Sequence, residues 1–208
     1  MTKQSLDSEA GGSSWWPSAG QSLFLNGGSD PVEFHGYLAE SFSHPEAYRR
    51  AAEMLYEAAV DKPCDRDAIM LPFVFLWRHH VEVSLKRLIE TFHEINHDRS
   101  RPPPTHKLSL LWAQVRPELV SIWPKANQDP LIGIDEAIAE LEQLDRTGET
   151  WRYSTDRNGN SIVPVGLKFS LSHFHNVMQG ISNLIDGCHA TTSEHLSDLR
   201  ESMRGCDS

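Results

Sequence analysis

The chain has 208 residues, enough for one well-buried domain with tails and short for two. Its formal net charge of -10 excludes a global basic field for tracking nucleic acid, so contact with RNA or DNA must come from a local cluster such as Arg99, Arg101 and Lys107. The three cysteines, Cys64, Cys188 and Cys206, form no Cys-x-x-Cys pair, and no stretch approaches the ~18 apolar residues of a membrane span, so a disulfide framework, a thiolate zinc site and a membrane protein are all disfavoured.

Residues 1–30 are rich in Gly, Ser and Asn around an isolated Trp15-Trp16-Pro17, and read as a flexible arm. No secretory signal is visible there, so a cytoplasmic location is expected. Residues 31–190 read as one helical bundle domain. In its first helix Tyr48, Ala51, Ala52, Leu55, Tyr56 and Ala59 recur at helical spacing, stopped by Lys62-Pro63. A long helix follows from near Asp67 to about His97, ended by Arg101-Pro102-Pro103-Pro104. A third carries Leu108, Leu111, Trp112, Val115, Leu119 and Ile122 on one face, with Pro117 expected to kink it. A fourth sets Ile134, Ala137, Ile138, Leu141 and Leu144 opposite a row of acids.

The period then changes. Trp151–Asp156 and Ser161–Val165 flank Asn158-Gly159, a strong hairpin-turn signal. A last helix carries Leu167, Leu171, Phe174, Val177, Met178, Ile181, Leu184 and Ile185, and residues 191–208 read as a flexible tail. The expected fold is mainly α: a four- to five-helix bundle with one β-hairpin before the last long helix.

The long helix holds the feature of greatest chemical interest. At ~100° per residue, Val74, Trp77, Val81, Leu85, Leu88, Ile89 and Phe92 share one stripe about 120° wide, and Arg78 projects into it with Glu82 at its edge. A guanidinium among core residues is costly unless paired. Arg78 therefore either pairs with Glu82 inside the fold or lines a cleft where the stripe meets another helix or subunit.

Three stretches carry a family resemblance: Phe75-Leu76-Trp77-Arg78-His79-His80-Val81-Glu82 with Leu85-Lys86; Thr105-His106-Lys107-Leu108 with Leu111-Trp112; and Trp151-Arg152-Tyr153-Ser154-Thr155-Asp156 with the Asn-Gly turn. In this order they resemble the HEPN domain superfamily, over roughly residues 45 to 188. The resemblance implies a homodimeric bundle of prokaryotic defence or toxin–antitoxin type that is RNA-directed or binds a cognate partner protein. It also implies metal-independent ribonuclease chemistry from an Arg-x(4–6)-His motif, with no cofactor. Arg78 would stabilise the phosphorane, His79 or His106 would move the proton, and Glu82 would orient one of them. No histidine stands where the closing histidine of the motif belongs after Arg78, so the motif is degenerate. An assembled site would bring His106 to Arg78 and Glu82, but antiparallel helices would place His106 by the C-terminal half of the long helix. The alternative is a catalytically inert binding or dimerisation module with Arg78–Glu82 as a structural pair.

Other constellations have plainer readings. His93-Glu94-Ile95-Asn96-His97 is a literal His-Glu-x-x-His, which on a helix sets two imidazoles one turn apart for a zinc hydrolase; His93 and His97 are the weak metal candidates. It lies at a helix end before a proline run. In the hairpin, Arg152 and Asp156 fall on the same strand face and are candidate substrate-binding residues, Asp156 alternatively capping the turn.

Overall fold

A computed structural model describes residues 43–145 and 166–206. They form five α-helices: α1 (Ser43–Asp61), α2 (Arg66–Ile95), α3 (Leu108–Ile122), α4 (Asp129–Leu144) and α5 (Leu171–Cys206). A single 3-10 turn, Pro63–Asp65, joins α1 to α2. The mainly helical expectation holds. The Asn158-Gly159 hairpin, with Arg152 and Asp156, lies outside the described residues.

The breaks fall where backbone chemistry puts them. Lys62-Pro63 ends α1, and the Arg66 Nε reaches back to the Ala59 carbonyl at 3.0 Å, satisfying an acceptor the helix end leaves open. The C-terminus of α2 is a Schellman motif. The Asp98 N–H donates to His93 O at 2.7 Å, the His97 N–H donates to Glu94 O at 3.2 Å, and His97 takes the left-handed φ of 56°. No N-cap side chain serves α3; instead Glu142 of α4 accepts the Ser109 N–H at 2.9 Å. Pro117 lies within α3 without ending it. At the start of α5 the Ser170 hydroxyl accepts the His173 N–H at 3.2 Å. The last helix then runs to Cys206. Residues 191–206, expected as a flexible tail, are its final turns, held to the body by Leu196 and Leu199, both half-buried, and by an Arg200–Glu94 ion pair of 2.6 Å.

Contacts set the topology. Tyr48 meets His79 and Tyr56 meets Phe73, so α1 runs antiparallel to α2. Phe174 meets Phe73, Ser182 meets His80 and His189 meets Arg87, so α5 runs parallel to α2. Ser109 meets Glu142 while Trp112 and Arg116 meet Asp135, making α3 and α4 an antiparallel pair. All the stripe residues of α2 are buried, from Val74 to Phe92, in one core shared with Leu108, Leu111, Val115, Ile134, Ile138, Leu141, Met178, Ile181 and Ile185.

Candidate functional site

Halfway along α2 the core stripe carries its two charges, and both are sealed. The Arg78 and Glu82 side chains are each 3 % exposed. Every nitrogen of the Arg78 guanidinium is engaged: Nη1 donates to Glu82 Oε2 at 3.2 Å, Nη2 to the His106 carbonyl at 2.5 Å, and Nε faces Asp145 Oδ2 at 2.9 Å. The Asp145 side chain is 1 % exposed. Three chain segments thus converge on one guanidinium: the middle of α2, the segment leading into α3, and the residue just after α4. Close pairing of opposite charges is what allows such groups to leave water.

Glu82 is the hub. Its Oε1 accepts from Lys86 Nζ at 2.8 Å and from His106 Nδ1 at 2.9 Å. Burial alone would push this carboxyl up. Hydrogen bonds from Lys86 and His106, together with their charges, outweigh it and carry the group below the ordinary glutamate range. Glu82 is therefore a carboxylate at neutral pH. It accepts the Nδ1–H of His106, which leaves Nε2 as the ring nitrogen not engaged by Glu82. The His106 side chain is 56 % exposed and Lys86 27 %. The site is a sealed ionic base with an imidazole and an ammonium at its outer edge.

The structure brings Arg78, Glu82 and His106 together, contrary to the expectation that His106 would lie far along α2. The Schellman turn reverses the chain, and residues 96–107 return alongside the helix. From Glu82 to Ile95 the helix rises about 20 Å. The return segment with its three prolines covers about 34 Å when extended, ample to bring His106 back to Glu82. Sequence reasoning missed Asp145 as the partner of Arg78. The spacing Ile134, Ile138, Leu141, Asp145 continues the buried stripe of α4 by one turn and was the signal for it.

His79 is not brought into this cluster. It projects to the α1 side, edge-on to Tyr48 with ring centroids 4.3 Å apart and stacked on Phe75 at 5.5 Å. Its neighbour His80 is fully buried, with Nδ1 2.8 Å from the Pro45 carbonyl and Nε2 2.8 Å from the Ser182 hydroxyl. Only the Nδ1–H form fits a carbonyl partner, so Ser182 donates to Nε2. Burial lowers the affinity of His80 for a proton, and Arg49 acts in the same direction, against the Pro45 bond and nearby acids. A serine, an imidazole and an orienting oxygen stand in line here, but Ser182 and His80 are both 0 % exposed, which marks the arrangement as internal support.

The His-Glu-x-x-His segment is not a helical metal face. The helix ends at Ile95, His97 turns into the left-handed cap, His93 Nδ1 lies 3.0 Å from the Ser100 carbonyl, and Glu94 is paired with Arg200. Among the described residues no group of three or more His, Cys, Asp or Glu side chains is arranged to hold a metal ion. No helix among them is long and apolar enough to cross a membrane. No protein-family model, curated protein or solved structure matches the chain.

Proposed function

We propose that the chain is a HEPN-like, RNA-directed protein of prokaryotic defence or toxin–antitoxin type that acts in the cytoplasm as a homodimer and cleaves RNA without a metal. One observation carries this reading: an exposed imidazole, His106, is held through Nδ1 by the buried carboxylate of Glu82. The carboxylate fixes the tautomer and orients the ring, the arrangement a proton-transfer group requires. His106 Nε2 takes the proton from a ribose 2′-hydroxyl, the 2′-oxygen forms a bond to phosphorus, and the bond from phosphorus to the 5′-oxygen breaks. The leaving oxygen is protonated by an imidazolium, which in a homodimer the second copy's equivalent group supplies. The segment around His106 also carries exposed Arg99, Arg101 and Lys107, a local positive stretch in an otherwise acidic chain.

In this reading Arg78 is a positioning residue. All its nitrogens are committed inside the fold, so it holds Glu82 and the His106 backbone in place. The same burial favours a second reading, a catalytically inert binding or dimerisation module in which Arg78, Glu82 and Asp145 form a structural lock. Incubating RNA with the purified chain in EDTA, wild type beside His106→Ala, separates the two. Cleavage lost in the variant supports the first, and no turnover in either supports the second.

A further inference from the structure

The role that the resemblance assigns to arginine, neutralising charge on the reacting phosphate, needs a cation that meets solvent beside the proton-transfer group. Arg78 cannot fill it, with a side chain 3 % exposed and each nitrogen engaged. One turn along α2, Lys86 donates to the same Glu82 oxygen that holds His106 Nδ1. Two groups bonded to one oxygen atom at 2.8 and 2.9 Å cannot be more than about 6 Å apart. An ammonium has three donors, and the bond to Glu82 uses one. The Lys86 side chain is 27 % exposed, against 3 % for Arg78, and the His106 side chain that shares its Glu82 oxygen is 56 % exposed. A compact ammonium serves phosphate as a point charge. Arg99, Arg101 and Lys107 extend the positive field, but Lys86 is the partly exposed cation that shares Glu82 Oε1 with His106 Nδ1.

We propose that Lys86 is the catalytic cation of this site, contacting a non-bridging oxygen of the substrate phosphodiester while His106 moves the proton. The proposal rests on the metal-independent ribonuclease reading above. Glu82 then has two tasks, since one oxygen sets the spacing between the base and the cation. Arg78 and Asp145 fix Glu82 from beneath.

The test uses the full chain in EDTA, with Lys86→Gln and Lys86→Arg beside His106→Ala, each checked for folding by circular dichroism. Cleavage of a short RNA is measured together with binding of the fully 2′-O-methylated RNA, which lacks the nucleophile, across a series of salt concentrations. The proposal expects Lys86→Gln to lose at least tenfold in kcat/KM. It also expects the slope of log affinity against log salt to fall by about 0.7, one phosphate contact on a single strand, and Lys86→Arg to restore most of both. Wild-type cleavage that is lost in His106→Ala but kept in a folded Lys86→Gln with unchanged salt slope would overturn the role of Lys86 and leave the ribonuclease reading standing. A Lys86→Gln that is merely less stable, with its slope unchanged, would overturn it equally by making the lysine a prop for Glu82. A wild type that neither binds nor cleaves RNA would overturn both.

Discussion

Replacing Arg78 with methionine keeps most of the side chain's volume and removes its charge, leaving Glu82 with Lys86 and His106 but taking from Asp145 the guanidinium 2.9 Å away. Removing one partner of a buried pair costs about 3–5 kcal/mol, because an uncompensated charge stays in a site of low polarity. The third Arg78 bond, to the His106 carbonyl, is lost as well and loosens the segment that presents the imidazole. A loss of about 4 kcal/mol at a urea slope of about 2 kcal/mol/M lowers the unfolding midpoint by about 2 M. Asp145→Asn in the Arg78→Met background recovers part of the loss, since the two sites are coupled. Urea unfolding followed by far-ultraviolet circular dichroism at pH 7.5 measures both. A loss under 1 kcal/mol, or a double variant no more stable than Arg78→Met, would refute the buried-lock argument; Arg116→Met, which breaks a half-exposed pair with Asp135, is the control expected to cost under about 1 kcal/mol.

Further outcomes follow from the same physics. Burial holds His80, His175 and His189 below the ordinary histidine range, His189 at about 4 with Arg87 adding to the effect, so the unfolded chain binds more protons than the native one below pH ~6.5. Stability present above that pH is lost as it falls toward 4, about 2 kcal/mol at pH 5 from His189 alone, and His189→Gln should flatten the fall in urea midpoint. Below pH ~4.3 the protonation of Glu82, whose carboxyl lies below its ordinary range in the fold, adds a further loss. His97→Gly should stabilise by about 0.5–1 kcal/mol, because glycine adopts the left-handed cap without steric cost; a loss in the same urea assay would contradict the Schellman assignment. Glu94→Gln removes an exposed pair with Arg200 and should change stability by less than about 1 kcal/mol while leaving any cleavage in EDTA intact; a wild-type activity that EDTA abolishes and Glu94→Gln removes would restore the zinc reading.

Much of the fold was legible because helical periodicity is a local property. The stripes of α1 to α4 and the place of Arg78 in the stripe of α2 follow from spacing, which left open whether it pairs inside the fold or lines a cleft, and the breaks follow from Lys62-Pro63 and the triple proline. The failures were in long-range geometry. His106 was placed by assuming that the next helix starts where the last one ends, whereas an extended proline segment carries the chain back along α2. Asp145 reads from sequence as a candidate partner of Arg152 in the hairpin rather than of Arg78, although its register continues the buried stripe. Lys86 stands in the stretch that carries the resemblance but has no role there; its significance depends on sharing an oxygen with His106, which only the fold supplies. Residues 191–206 read as a tail because their polar composition conceals Leu196 and Leu199 at helical spacing.

The measurement that tests the account most directly is cleavage of single-stranded RNA by the purified chain in EDTA, with wild type and His106→Ala compared after both are shown to be folded. The account predicts cleavage by the wild type and a loss of at least 10²-fold in the variant, the range a proton-transfer group contributes. An inactive wild type, or a variant that cleaves as well as wild type, would contradict it.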